Sequence, residues 1–324
     1  MPRRPRLAAC VALAVVLAAA TACRSRKAQP GAAFPPAQTA GPERAATPAA
    51  GDPWAKFRRV PTEYMGDFGD LRALLPFWPR LPEPGPDDWL THFPEHAQTT
   101  ANLLARASAR ARDRTMGVAI QPILPLDSAT TRSLRPAARF LEIVYQCPVR
   151  VRPAMATPAA YFRNRKQLDA SRLLQMLGTS RPADVWGFAG VTAFDLGIEE
   201  LNFVFGLGAP DTGVNVTSTM RQASPDPVVA RRRMLMTMAH ELGHALGLAH
   251  CIAGSCLMNG SNHLAESDAQ PALFCPHCTA KLRALRGIDP ARVFCGLVQF
   301  FEEQGLTADR DLARKACEAL KNGE

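Results

Sequence analysis

Residues 240–250 read His-Glu-Leu-Gly-His-Ala-Leu-Gly-Leu-Ala-His, and the rest of the chain is best interpreted outward from them. On a helix with 3.6 residues per turn, His240 and His244 lie one turn apart on the same face, so their imidazoles can bind one metal ion. Gly247 lets the chain leave the helix in a conformation that most residues resist, which returns the imidazole of His250 to the same point. Three neutral imidazoles leave zinc one open position of four, as is typical of a catalytic site.

Glu241 stands beside the two helical histidines without needing to bind the metal. Its carboxylate is placed to take a proton from a zinc-bound water and to pass it later to the leaving amine of a cleaved peptide. Asp226-Pro227 predicts the start of the helix that carries the motif, because Asp226 can cap free amides and Pro227 sits where no amide hydrogen is needed. The sequence therefore predicts a zinc-dependent hydrolase with Glu241 as its general base.

Four of the nine cysteines follow the histidines in two close pairs. Cys251 and Cys256 come directly after the motif, and Cys275 and Cys278 follow after a loop. Two such pairs suit a tetrahedral structural zinc site of four thiolates. Disulfides within each pair are the alternative in an oxidising compartment. A thioredoxin-type redox centre at residues 275–278 is excluded, because too few residues follow it to build the sheet that such a domain needs.

The combined pattern closely resembles that of the archaemetzincins, a family of metzincin zinc metallopeptidases, and the resemblance covers about residues 85–285. It implies a zincin-like (metzincin) α+β fold with a mixed twisted sheet, an active-site helix and a C-terminal subdomain stabilised by a zinc ion that four cysteines bind. It also implies a methionine turn beneath the catalytic metal, for which Met258 is the candidate. The full pattern is His240-Glu241-x-x-His244-x-x-Gly247-x-x-His250-Cys251-x₄-Cys256-x-Met258-x₁₆-Cys275-x-x-Cys278.

The same resemblance implies two zinc ions per chain, one catalytic and one structural, and an aminopeptidase-like activity on a restricted set of peptide or protein substrates. It suggests that an extended peptide pairs with an edge strand, for which residues 201–206 are the candidate. We expect a monomer. The alternative functions are a membrane-tethered lipoprotein that binds zinc or peptides with little turnover, and a structural envelope lipoprotein. The intact Glu241 argues against a binding module, which has no need of a base at that position.

The N-terminus predicts export. Residues 1–6 are basic, and the apolar run over 7–20 is too short to span a ~30 Å hydrocarbon core comfortably but typical of a signal peptide. Small residues at 20–22 precede Cys23, a pattern that resembles a bacterial lipoprotein signal in which Cys23 carries the lipid and anchors the protein to the cell envelope. Simple secretion, to the periplasm or beyond, is the alternative. The Ala- and Pro-rich residues that follow predict a flexible tether.

We therefore expect a signal peptide over residues 1–22, a tether over 23–53 and one folded domain over 54–324. Within that domain the catalytic core is expected at about 114–285 and a helical tail at 286–324. Apolar residues make up 47% of the chain and charged residues 21%, which excludes wholesale disorder and a polytopic membrane protein. Arg3, Arg4 and Arg6 lie in the predicted signal peptide, and the +6 that remains of the net charge of +9 is spread thinly. No aromatic residues interleave with the arginines of residues 88–112, so nucleic acid is not an expected partner.

Hydrophobic periodicity predicts alternating helices and strands, then a cluster of strands, then the long helix that begins at Asp226. That order is typical of an α+β or α/β domain. The predicted helices cover residues 88–112, 133–146 and 163–177, and the predicted strands cover 116–124, 148–151, 186–196, 201–205 and 214–218.

The remaining histidines and arginines near the motif are predicted to have no direct role in metal binding. We expect His263 and His277 to be exposed loop residues or to lie behind the metal ligands. The three arginines at 231–233 are predicted to form the solvated face of the long helix. Cys295 and Cys317 are either bridged to each other or, like Cys147, plain buried thiols.

Overall fold

The computed structural model describes residues 68–157, 159–164, 167–199, 202–209 and 212–322. The predicted signal peptide, the lipidation site Cys23 and the tether lie outside the described residues. Within the described ranges, no helix combines the length and the apolar character that crossing a membrane requires.

Eight strands in the described part of the chain form two sheets. They are β1 (Gly117–Ile123), β2 (Val149–Val151), β3 (Phe162–Asn164), β4 (Gln167–Asp169), β5 (Val185–Thr192), β6 (Asp195–Gly197), β7 (Gly206–Ala209) and β8 (Val214–Ser218). The larger sheet has the order β2-β1-β5-β8-β7; β7 runs antiparallel at one edge, and the other four strands are parallel to one another. The smaller sheet has the order β3-β4-β6. The larger sheet is mixed, as predicted.

Helices cover both faces of the larger sheet. One face, with Val118 and Ala189, belongs to a core that includes the helical residues Phe140 and Leu242. The other face belongs to a second core around Leu173, which lies on another helix. The helices are α1 (Trp89–His92), α2 (Thr100–Arg106), α3 (Ala109–Arg112), α4 (Ser128–Tyr145), α5 (Ala170–Ser180), α6 (Pro227–Ala245), α7 (Leu264–Asp268), α8 (Pro276–Arg286), α9 (Pro290–Gln304) and α10 (Thr307–Lys321).

The long helix α6 begins where the sequence predicts. The Asp226 side chain accepts a hydrogen bond from the amide of Val228 at 2.8 Å, and Pro227 is the first helical residue. The helix ends at Ala245, and Gly247 has a φ of +93°, a conformation that favours glycine. The predicted role of Gly247 as the exit from the helix is therefore confirmed.

The C-terminal helices are linked covalently. A disulfide joins Cys295 of α9 to Cys317 of α10, with 4.9 Å between the Cα atoms. Cys147 is a buried free thiol. Of the two interpretations of the C-terminal pair, the bridge is therefore the one that the structure contains.

Several predicted element boundaries are wrong. The helix expected over 88–112 is three short helices, and α4 begins five residues early because Asp127 caps it by accepting from the amide of Thr130. The helix expected over 163–177 begins only at Ala170, where Asp169 caps it, and it continues past Gly178 to Ser180. The residues before that cap pair instead as β3 and β4.

The arginines of α6 do not form a solvated face. Arg232 binds Asp309 of α10 with 2.7 Å between Nε and Oδ2, and Arg233 binds Asp268 at 2.6 Å. Arg231 donates to the carbonyl oxygen of Gln304. These contacts tie the helix to the C-terminal part of the chain, which the local sequence pattern could not indicate.

Candidate metal centres

The three motif histidines converge. His240, His244 and His250 each offer a ring nitrogen within 4.8 Å of those of the other two. The Nδ1 atoms are already used: that of His240 donates to the carbonyl oxygen of Leu257 and that of His244 to the carbonyl oxygen of Leu248, both at 2.8 Å. Because carbonyl oxygens only accept, both rings carry their proton on Nδ1, and Nε2 remains free to bind a metal.

Burial favours the metal-binding form of these rings. It lowers the pKa of His244 to about 4 and that of His240 well below its ordinary value, and repulsion from the neighbouring histidines adds to the effect. The imidazoles of His240 and His244 are therefore neutral near pH 7, and the neutral form is the one that binds zinc.

Glu241 is buried beside the histidines, with 8% of its surface exposed. Burial raises the pKa of its carboxyl to about 8 in the metal-free protein, although a hydrogen bond from the backbone amide of Gly208 acts in the opposite direction. Because Gly208 lies on β7, the edge strand holds the carboxyl of Glu241 against the helix that carries it.

Two glycines allow β7 to pass directly over α6. A Cβ atom at Gly206 would lie 2.6 Å from Cγ of Glu241, and one at Gly208 would lie 2.7 Å from the Glu241 carbonyl oxygen and 2.8 Å from Cβ of His244. No larger residue fits either position without a shift. Gly206 is the last residue of the predicted edge strand over 201–206, and Gly208 lies outside it. Sequence reasoning did not identify the role of either glycine, because glycines two positions apart are more typical of a turn than of a strand.

The predicted edge strand is displaced along the chain. Residues 201–206 were the candidate, but the strand begins at Gly206, and Val204 makes only an isolated bridge to Leu196. Within the described residues β7 pairs with β8 alone, so its outer edge remains available to another extended chain. Phe203 and Phe205 line a wall of the cleft instead.

The cleft above the histidines has a volume of about 540 Å³. Its walls are largely apolar, and Trp89 and Phe93 stack on each other with 4.3 Å between ring centroids. Glu241 and the histidines lie in its lining. An open, apolar cleft with a few converging polar groups is the usual form of a binding site for a small molecule or a peptide.

Met258 is completely buried under α6. A Cβ atom at Gly243 would lie 2.5 Å from its Sδ, so the thioether packs against the helix between the two helical histidines. The Met258 carbonyl oxygen accepts from the amide of Cys251 at 2.8 Å, which ties this turn to the residue after His250. The structure thus places Met258 directly against the helix that carries His240 and His244.

The four predicted cysteines also converge. They are free and buried, and their Sγ atoms lie within 4.8 Å of one another. Tetrahedral zinc with Zn–S bonds of about 2.3 Å needs sulfurs about 3.8 Å apart, which this cluster fits. The amides of Met258 and Cys275 donate to Sγ of Cys256 at 3.4 and 3.2 Å, and such donors favour a thiolate. The alternative of disulfides within each pair is not what the structure contains.

Glu95 is a site residue that sequence reasoning missed. Its Oε1 lies 2.7 Å from Nδ1 of His250 and accepts from Nε1 of Trp89 at 2.9 Å. Burial acts to raise the pKa of Glu95, but the hydrogen bonds from His250 and Trp89 outweigh it and hold that pKa below its ordinary value. The ionised carboxylate lies 155 positions before its histidine, so no local pattern could reveal the contact.

His263 and His277 have distinct surroundings. His263 donates from Nε2 to Asp88 at 3.0 Å and accepts from the amide of Glu266, so it is neither a ligand nor free. His277 lies in the first turn of α8, buried against Phe68, which corrects its prediction as a loop residue. The carboxylate of Asp88 also accepts from the amide of Gly85, and that of Glu266 accepts from the amides of Trp89 and Asn262.

The chain is similar to several known proteins of one family. The model of Peptidase family M54 matches residues 146–284. Archaemetzincin of Archaeoglobus fulgidus is 31% identical over 169 residues, which cover 52% of this chain and 99% of that relative. Archaemetzincin-2 of Mus musculus is 31% identical over 170 residues, which cover 43% of this chain and 47% of the relative, so the match spans about half of that longer protein.

Among solved structures, the crystal structure of archaemetzincin from Methanopyrus kandleri is similar. It is 28% identical, with a TM-score of 0.49, and the match covers 55% of this chain and 98% of that one. The sequence match to the Archaeoglobus protein extends over almost its whole length. The chain therefore belongs to the archaemetzincin family, Peptidase family M54.

Proposed function

We propose that the protein is a zinc metallopeptidase whose catalytic zinc is held by Nε2 of His240, His244 and His250. The observation that carries the proposal is the convergence of these three imidazoles beside a buried carboxylate in an open cleft. When bound, zinc lowers the pKa of a coordinated water to about 7 and polarises a carbonyl oxygen. The three imidazoles are suited to zinc, and their hydrogen-bonded Nδ1 atoms fix their orientation.

Glu241 is the proposed general base. A zinc ion held by the neighbouring histidines would favour the ionised form of Glu241 over the protonated form of the metal-free protein. The carboxylate would then accept a proton from the attacking water and later return it to the leaving amine. The amide of Gly208 holds the carboxylate on the cleft side of α6. Met258, packed against Gly243, supports the helix from below as a methionine turn does in the zincin-like (metzincin) fold that we propose for this domain.

The proposed substrate is an extended peptide or protein segment that pairs with the outer edge of β7. Backbone pairing gives affinity with little sequence selectivity, and side-chain pockets supply the selectivity. Because the walls of the cleft are largely apolar, we expect substrates with apolar side chains. An aminopeptidase-like preference for a restricted set of substrates is carried over from the family resemblance, and we propose that the protein acts as a monomer.

The four cysteines are the proposed ligands of a second, structural zinc, which gives two zinc ions per chain. The closed, buried arrangement of Cys251, Cys256, Cys275 and Cys278 leaves no open position for a substrate. The proposed role of this second zinc is to link the chain after His250 to the start of α8.

We further propose that the protein is exported and anchored in the bacterial cell envelope through a lipid on Cys23, with the tether separating the domain from the membrane. Support comes from the basic, apolar and small-residue pattern of residues 1–22 followed by the cysteine. Metabolic labelling with a radioactive or clickable fatty acid tests this proposal. Label that survives in Cys23→Ser would refute it.

Replacing the base tests the function directly. Glu241→Gln removes the carboxylate but keeps its size, so we expect turnover of a mixed peptide library by the zinc-loaded protein to fall by about 10²–10⁴-fold. Product formation is followed by mass spectrometry, and unchanged zinc content serves as the control. Turnover equal to that of the unsubstituted protein would refute the mechanism.

Two further outcomes are informative in the same experiment. Peptide binding without turnover by the unsubstituted protein would favour the alternative of a tethered binding lipoprotein. Comparison of peptides with free and acetylated N-termini separates the activities, because an aminopeptidase cleaves only the free form.

A further inference from the structure

The third histidine is held differently from the other two. His240 and His244 donate to backbone carbonyl oxygens 17 and 4 positions away. His250 donates instead to the carboxylate of Glu95, at 2.7 Å and across 155 positions. A carboxylate behind a metal-binding imidazole fixes the ring and makes it a stronger ligand than a carbonyl does.

Glu95 is itself fixed. The oxygen that accepts from His250 also accepts from Nε1 of Trp89, at 2.9 Å. The Trp89 ring stands edge-on to the His250 ring, with 5.0 Å between centroids. The side chains of Glu95 and His250 are both more than three-quarters buried. The carboxylate is therefore oriented before any metal binds.

Gln98 secures the loop that returns His250 to the helix. Its Nε2 donates to the carbonyl oxygen of Gly247 at 2.7 Å, and its Oε1 accepts from the amide of Ala249 at 3.2 Å. Lys281 of α8 also reaches this Oε1, at 3.3 Å. Both sides of the Gly247 turn are thus held by one side chain from far upstream.

We call residues 85–98 the N-terminal strap. Near its beginning, Asp88 binds His263, and the Asp87 carbonyl oxygen accepts from Nδ2 of Asn262 at 2.9 Å. The middle of the strap supplies Trp89 and Phe93 to the cleft wall, and its end binds the loop before His250. The whole strap precedes residues 146–284, the part that the family model matches.

We propose that the N-terminal strap completes the histidine zinc site, with Glu95 as the positioning residue for His250. The strap makes zinc binding by the third histidine depend on a segment that lies before residue 146, where the match to the family model begins. This inference rests on the proposed function, since it requires that the three histidines hold zinc. The effect of Glu95 is on the affinity and geometry of the site, because its carboxylate touches the ligand and not the substrate.

The test compares Glu95→Ala and Glu95→Gln with the control Glu318→Ala, which removes an exposed carboxylate from α10. Zinc affinity is measured by competition with a chromophoric chelator, and a His240→Ala, His244→Ala variant reports the cysteine site alone. We expect Glu95→Ala to weaken zinc binding at the histidines by about 10–100-fold. Glu95→Gln should recover part of this loss, because its amide oxygen can still accept from Nδ1. The control should match the unsubstituted protein.

Two other readouts separate positioning from general stability. The visible spectrum of the cobalt-substituted histidine site should change in Glu95→Ala, and kcat should fall more than KM rises. If Glu95→Ala fails to fold, Trp89→Phe takes its place. This variant keeps an aromatic side chain but removes the donor to Glu95. It should also weaken zinc binding, by a smaller factor. Zinc affinity and cobalt spectra that are unchanged in these variants would overturn the inference. If the unsubstituted histidine site bound no zinc, the proposed function itself would fail.

Discussion

Close approach between β7 and α6 depends on single residues. Gly206 and Gly208 leave room for the Glu241 side chain and for the helix backbone, and the Gly208 amide holds the carboxyl. The position of the Glu241 carboxyl, the proposed base, therefore depends on β7 as well as on α6.

Gly208→Ala should impair both stability and turnover. The added Cβ would meet the Glu241 carbonyl oxygen at 2.7 Å and Cβ of His244 at 2.8 Å. Overpacking of this kind costs about 1–3 kcal/mol of unfolding free energy. Denaturant titration and peptide turnover measure the two effects.

Gly178→Ala is the matched control. A Cβ there meets nothing within 4 Å, and the residue lies inside α5, where alanine is favoured over glycine. We expect unchanged turnover and equal or slightly higher stability. If the two variants behaved alike, the close approach would not be the cause.

The residues that sequence reasoning found are those whose chemistry is local. The histidine motif, Glu241, Met258 and the four cysteines all lie within residues 240–278, and the structure brings each group together. Glu95, Gln98 and Gly208 were missed because each acts across a long sequence separation.

At the scale of elements, α6 is held by charge pairs as well as by its apolar face. Arg232 and Asp309 form a pair with side chains 16% and 5% exposed, and Oδ1 of Asp309 also accepts from the amide of Ala272. This contact joins α6 to α10 and to the chain just before Cys275.

Asp309→Ala should be strongly destabilising. It leaves the guanidinium of Arg232 buried without its carboxylate, and breaking such a pair costs about 3–5 kcal/mol. Asp184→Ala is the control, because its partner Arg150 and Asp184 itself are exposed, and surface pairs contribute about 0–1 kcal/mol. Equal losses in chemical denaturation would show that the Asp309 pair is not specially important.

Element predictions succeeded where the local pattern and the tertiary environment agree. The strand over 214–218 and the start of α6 are confirmed because burial and capping are visible in the sequence. The predicted helix over 163–177 is wrong at its start because pairing of β4 with β6 overrides helical periodicity there. The solvated face predicted for residues 231–233 is wrong because its partners lie in distant helices.

At the scale of the whole molecule, two proposed metal sites share a backbone. His250 and Cys251 are adjacent, so the catalytic and structural ligands meet at one peptide bond. Elemental analysis should find two zinc ions per chain in the unsubstituted protein and one in both Cys275→Ser and the His240→Ala, His244→Ala variant.

Loss of the two zinc ions should have different consequences. Cys275→Ser should lower the unfolding temperature strongly, because binding of a structural zinc supplies folding free energy, whereas the histidine variant should lose turnover and stay folded. Calorimetry distinguishes them. One zinc in the unsubstituted protein, with no reactive thiols at the four cysteines, would contradict the structural site.

The long separation between Glu95 and His250 also has a consequence in time. At 5–20 residues per second, synthesis of the 155 positions between them takes roughly 8–30 s. Contacts of such separation form slowly, because the entropy of closing so long a loop is lost before the contact contributes any stabilisation. The N-terminal strap is synthesised early, but its contacts with His250 form late. A nascent chain that stops before residue 250 therefore contains Glu95 without its partner His250.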